Sequence, residues 1–152
     1  MCYKIPFEVT EVKLIYQNKV KAEDCPQIKG SLEAYQILLA NWSEQINFNE
    51  EFYILLLNRA NRVIGHYLVS QGSLVGTIVD AKAIFAAALK CRAASIILAH
   101  NHPSCNLRPS QSDIELTKKL KQGGELLDIA VLDHLILSPD GGYYSFADEG
   151  LL

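Results

Sequence analysis

Ser95-Ile96-Ile97-Leu98-Ala99-His100-Asn101-His102-Pro103 is the stretch from which the rest of this 152-residue chain is read. A short apolar run flanked by polar residues is the pattern of a buried strand. Here the run ends in two histidines and a proline. His100 and His102 are two apart, so on an extended segment they point the same way. Pro103 stiffens the exit. Ser110 and Asp113 follow, three apart at a helix start and so on one helical face. Two imidazoles and one carboxylate are the donor set of a catalytic zinc that keeps its fourth position for water. Each fragment alone has an ordinary reading. A histidine at a strand end is commonly satisfied by a backbone hydrogen bond, and Ser-x-x-Asp is commonly a capping box. Together, between a buried strand and a helix, they point to a metal.

Working outward, residues 8–16 alternate and predict an edge or half-buried strand. Residues 19–30 are polar, with Pro26 and Gly30, and predict a loop. Ser31 is the expected N-cap of a helix reaching about Trp42, with Leu32, Tyr35, Ile37, Leu38 and Leu39 as its apolar positions. Phe52-Tyr53-Ile54-Leu55-Leu56-Leu57 predicts a strand buried on both faces. The turn Asn58-Arg59-Ala60-Asn61-Arg62 leads into a second strand over 63–71, hence a hairpin. Residues 72–77 predict a small-residue loop. Asp80 is expected to cap a helix from Ala81 to about Cys91, with Ile84, Phe85 and Leu89 inward. Ser110 is expected to cap another helix to about Gln122, stopped by Gly123-Gly124. Residues 128–137 predict a strand. A last short strand over 143–146 follows the turn Pro139-Asp140-Gly141-Gly142. These elements predict a single α/β domain, a central mixed sheet with helices against its faces. Residues 1–30 add an N-terminal strand and loop to that domain, and 31–152 form the rest of it.

The hydrophobic fraction is 49% and the charged fraction 20%, as in a globular protein. Net charge is -3 and the isoelectric point about 5.8, so no basic surplus favours a nucleic-acid backbone. Lys118, Lys119 and Lys121 form the densest cationic cluster and read as a solvated helix face. Cys2, Cys25, Cys91 and Cys105 lack CxxC spacing, which argues against a disulfide framework or a cysteine zinc knuckle and for a reducing cytoplasm. The N-terminus has no apolar signal region, no lipobox precedes Cys2, and no run approaches membrane-spanning length. No membrane partner is expected, and nothing indicates an oligomeric state.

Two lookalikes fall away. His100-Asn101-His102 spells HNH, but nuclease motifs of that name spread their residues over a ββα unit. Zinc deaminases need His-x-Glu and a later Pro-Cys-x-x-Cys, and neither is present. His100-x-His102, seven residues, Ser110, two residues and Asp113 resembles the JAMM signature of the MPN/JAB metalloproteases. Ile97-Leu98-Ala99-His100-Asn101-His102-Pro103-Ser104, with Pro109-Ser110-x-x-Asp113, resembles the RadC branch of that superfamily. Gly72-Ser73-Leu74 and Leu132-Asp133-His134-Leu135-Ile136 extend the likeness over residues 30–150.

The resemblance implies a JAB/MPN fold, of cytidine-deaminase-like architecture. It implies a zinc ion on His100, His102 and Asp113, and hydrolysis of an amide or isopeptide bond in a peptide substrate. It also calls for an upstream glutamate as general base at the start of a buried strand. Glu51 fits that place. Glu50 is the close competitor, and period-two geometry turns it to the opposite face. Glu51 is therefore assigned the base, and Ser110 the hydrogen bond to the tetrahedral oxyanion.

His134 is a candidate for the shell behind the ligands, with Asp133 as an acceptor for a ligating histidine. A strand pair with local hydrogen bonds is the ordinary alternative. Asn101 points away from the histidines and is expected to fix the loop. His66 is given no role. Cys105 stands where RadC-like chains usually have Gly, and Lys82 where they often have Arg. The family's N-terminal helix-hairpin-helix region finds no room here, so DNA binding is the least expected of its roles. The expected function is a JAMM-type zinc metallopeptidase. The alternatives are a DNA-repair-associated accessory protein with a structural or vestigial metal site, and a metal-dependent phosphodiesterase.

Overall fold

A computed structural model describes residues 10–13, 15–72 and 78–152. The apolar run at its centre forms β1 (Glu51–Leu57), in which every residue is buried. A strand with apolar side chains on both faces needs cover on both. β1 lies between β2 (Val63–Gln71) and β3 (Ser95–Asn101), antiparallel to each. β4 (Ala130–Leu137) runs parallel to β3, and β5 (Tyr143–Ser145) antiparallel to β4. The result is one mixed sheet in the order β2-β1-β3-β4-β5.

Alternation along β1 and β3 separates two cores. α1 (Ser31–Ala40) covers one face, where Ala34 and Leu38 meet Tyr53, Leu55, Leu57, Ile97, Ala99 and Leu135. α2 (Ala81–Lys90) and α3 (Gln111–Leu126) cover the other. There Ile84, Ala88 and Leu120 meet Phe52, Ile54, Leu56, Ile96 and Leu98. This is a single α/β domain, a mixed five-stranded sheet flanked by three helices. Among the described residues no helix is long and apolar enough to cross a membrane.

Several local expectations are corrected. Residues 10–13, 15 and 16 carry no strand; the rest of that prediction, Glu8, Val9 and Leu14, lies outside the described residues. Alternation without a pairing partner does not make a strand; among the described residues this segment is tied to β2 by the Tyr16 hydroxyl donating to the Ile64 carbonyl. Ser31 is not an N-cap but the first residue of α1, after Gly30. Its hydroxyl donates to Asp148 and meets the Tyr143 hydroxyl instead. α1 ends at Ala40, and a short 3₁₀ turn, Glu44–Asn47, capped by Ser43, follows. Leu89 is half exposed, so α2 turns Ile84 inward but not Leu89.

The glycine pair does not stop α3, which runs through it to Leu126. A Cβ on Gly124 would stand 2.2 Å from the Ile129 carbonyl oxygen, and one on Gly123 2.9 Å from the Phe85 ring. These glycines let the helix approach its neighbours rather than end it. The loop expected at 72–77 lies, beyond Gly72, outside the described residues.

Candidate metal centre

β3 ends with its side chains alternating between the two faces. His100 pairs across the sheet with Phe52 and stacks on it, ring centroids 6.0 Å apart, so His100 lies on the α2/α3 side. His102, just past the strand, points the same way: the Nε2 atoms of the two histidines are 3.0 Å apart. Asp113, in the first turn of α3, brings its carboxylate 3.3 Å from His100 Nε2 and 3.8 Å from His102 Nε2. The three donor atoms all lie within 4.8 Å of one another. Ligands held about 2.0–2.2 Å from one ion have such separations. This cluster could hold a metal ion.

The ring nitrogens facing away from this point are engaged. His102 Nδ1 contacts the Asn106 carbonyl, which only accepts, so Nδ1 carries the proton and Nε2 is bare in the neutral ring. His100 Nδ1 is 2.8 Å from His134 Nε2. His100 Nε2, His102 Nε2 and the Asp113 carboxylate thus converge as a set of ligand atoms that a cation could join. Burial raises the Asp113 pKa, but a hydrogen bond and charge from His100, then the Ser110 hydroxyl and amide, outweigh it and hold the carboxyl well below the usual range. Asp113 is thus an anion at any working pH.

Ser110 caps α3. Its hydroxyl and amide both donate to Asp113 Oδ2 at 2.7 Å, and its oxygen accepts from the Asp113 amide. The capping box and the His–His–Asp cluster share one carboxylate, so the cap orients Asp113.

The glutamates are placed the other way round from the sequence expectation. Glu51 is fully buried and pairs across the hairpin with Gln71. Its carboxylate accepts from Ser43 Oγ at 2.7 and 2.8 Å and from Gln71 Nε2 at 2.8 Å. Glu50 lines the cavity of about 600 Å³ that also contains Phe52, His100, His102, Ser110 and Asp113. The structure does not bring Glu51 to the cavity where its expected role as base would place it; Glu50 stands there instead. The alternation rule was sound, but it needs to know which face His100 takes, and that is set by the Phe52–His100 register.

His134 stands behind His100 as expected, but Asp133 does not reach a ligating histidine. Ile96 pairs with Val131 and Ile97 with Asp133, so Leu132 is the extra residue of a bulge in β4. The shift turns His134 toward His100. Asp133 faces the other side, where it accepts from Ser145 Oγ and from the amides of Ala147 and His134. Burial raises the Asp133 pKa against those three hydrogen bonds. His134 is fully buried, and burial, then repulsion from His100, pushes its pKa well down, so the ring is neutral. Its Nδ1 is 2.6 Å from Thr117 Oγ1, which lies 2.6 Å from the Asp113 carbonyl. Thr117 was not among the sequence candidates. Its signal was present, since it stands four residues after Asp113 on the same helical face.

Asn101 lies on the α1 side. Its Oδ1 accepts from the Glu51 amide at 2.8 Å, and its Nδ2 donates to the carbonyls of Ile46 and Asn49 at 2.7 and 2.8 Å. One side chain thereby holds the peptide groups on both sides of Glu50.

Fold and site together define an α/β domain with a His–His–Asp cluster at one end of its sheet that could hold a metal ion. The chain belongs to the RadC-like JAB domain family, whose model matches residues 28–151. It is 44% identical over 137 residues to a UPF0758 protein of Flavobacterium johnsoniae, an alignment covering 88% of this chain and 58% of that one. It is 46% identical over 103 residues to a UPF0758 protein of Porphyromonas gingivalis, covering 68% and 45%. A Pelobacter propionicus relative of the same name is 48% identical over 103 residues, covering 68% and 44%. The chain spans about half the length of these relatives.

Proposed function

We propose that this domain is a zinc-dependent hydrolase that cleaves an amide or isopeptide bond in a polypeptide. The observation that carries this is the convergence of His100, His102 and Asp113 on one cavity whose wall includes Glu50. Zinc at such a site lowers the pKa of a water to about 7 and polarises a carbonyl. Glu50 takes the proton of the attacking water and delivers it to the leaving amine. Ser110 donates to the oxygen on which charge develops. Its hydroxyl leaves Asp113 to do so, while its amide keeps the carboxylate in place.

The lining supports an uncharged scissile group. Among the described residues it contains Ile78, Val79 and Leu116 but no lysine or arginine. A phosphodiester would meet two protein carboxylates and no protein cation there. The same lining, with the net charge of -3, gives no support to the DNA-associated reading. Cys25, Cys91 and Cys105 are free thiols, in keeping with a reducing cytoplasm.

Equilibrium dialysis followed by metal analysis is expected to find about one zinc per chain, lost in His100→Ala. A wild-type protein that takes up no zinc ends this reading. Salt-dependent DNA binding without zinc uptake would favour the accessory role instead.

A further inference from the structure

We propose that Thr117, His134 and His100 form a hydrogen-bond chain whose proton order reverses when a metal enters the site, making Thr117 and His134 positioning residues for ligand His100. This rests on the metal-binding reading above. Three contacts define the chain: Asp113 carbonyl to Thr117 Oγ1 at 2.6 Å, Thr117 Oγ1 to His134 Nδ1 at 2.6 Å, and His134 Nε2 to His100 Nδ1 at 2.8 Å. It starts on the backbone of one ligand and ends on the ring of another. His134 sits between Phe52 and Phe146 and is fully buried. For neutral rings, one proton on each, two orders leave every contact in the chain with one donor and one acceptor.

In the first order His100 carries its proton on Nδ1 and donates to His134 Nε2. His134 then carries its proton on Nδ1 and donates to Thr117, whose hydroxyl donates to the Asp113 carbonyl. Every donor has an acceptor, and His100 Nε2 is left bare. That nitrogen then faces the bare Nε2 of His102 at 3.0 Å and the Asp113 carboxylate at 3.3 Å, an arrangement only a cation relieves.

In the second order His100 carries its proton on Nε2 and donates to Asp113 or His102. His134 donates from Nε2 to His100, and Thr117 donates to His134 Nδ1. The Asp113 carbonyl loses its hydroxyl donor. This order suits the metal-free protein. Both contain the same number of protons, so the metal selects a tautomer rather than a charge state.

Ring-nitrogen NMR of ¹⁵N-labelled full chain, stripped with chelator and then loaded with zinc alone, reads the order. His100 and His134 are expected to move from Nε2–H to Nδ1–H on loading. Thr117→Val removes the acceptor that the loaded order needs, and zinc affinity by chelator competition is expected to fall about 10–100-fold. Thr117→Ser restores it, which a loss of packing alone would not explain. If wild type binds zinc but His134 keeps one tautomer throughout, or Thr117→Val binds zinc as wild type does, the chain has no such role. If wild type binds no zinc, the metal-binding reading itself fails and takes this inference with it.

Discussion

Glu50 and Glu51 are neighbours in sequence at the same end of the sheet, and they stand on opposite faces of it. On the α1 side, Glu51 and Asp133 are carboxylates held by donors: Ser43 and Gln71 for the first, Ser145 and two amides for the second. On the α2/α3 side, Glu50 and Asp113 line an open cavity with two histidines. A carboxylate whose lone pairs are satisfied by fixed donors is a structural tie. Asp113 is held too, by Ser110 through Oδ2, but its carboxylate also faces the two histidines, where it could bind a cation. The chemical type of a residue therefore says little until its face is known.

The contrast can be broken most sharply at Glu50. Glu50→Gln should keep zinc and change stability by less than about 0.5 kcal/mol. Turnover of any peptide substrate found for the domain should fall about 10²–10⁴-fold. Retained turnover would return the base role to another residue.

Asn101→Ala comes next. It orphans the Glu51 amide and two carbonyls, each at about 1–3 kcal/mol if no water replaces the amide. Urea unfolding should show the loss, and zinc affinity should change little, because His100 and His102 keep their own partners.

Glu51→Ala is a smaller test on the same face. It leaves Ser43 and Gln71 without their acceptor, for a loss of about 1–3 kcal/mol in total. Zinc content should be unchanged, whereas the metal would be lost if Glu51 were a ligand.

The smallest effect is a pH dependence at Asp133. Burial raises its folded pKa above the unfolded value near 3.9. The folded chain then holds its proton longer than the unfolded one. Its contribution is fully present below about pH 3.9 and declines as pH rises through the folded pKa. The stability of wild type relative to Asp133→Asn should therefore be greater at pH 4 than at pH 7. Unfolding curves at the two values give the comparison.

Much of this was legible along the chain. The apolar run before His100 is β3, and the run at 52–57 is β1, because a strand covered on both faces leaves a continuous hydrophobic record. His100, His102 and Asp113 converge as their spacing implied, since period-two and helical geometry act over a few residues. What failed depended on partners far along the chain. Residues 10–13, 15 and 16 belong to an alternating segment yet form no strand, because pairing requires a neighbour that alternation does not supply. Gly123 and Gly124 looked like a helix stop, yet they sit where Phe85 and the Ile129 carbonyl come too close for a side chain.

The amino-acid sequence by itself determined the two-sided burial of the central strands, the convergence of His100, His102 and Asp113, and the cap that orients Asp113. Each follows from local geometry and residue chemistry. Only the tertiary structure decided which glutamate shares the cavity and whether Asp133 or His134 stands behind His100. Both choices turn on register. The Phe52–His100 pair puts Glu50 on the ligand face, and one extra residue at Leu132 exchanges the faces of Asp133 and His134. A one-residue shift reverses every side chain after it, and no local pattern records where that shift falls.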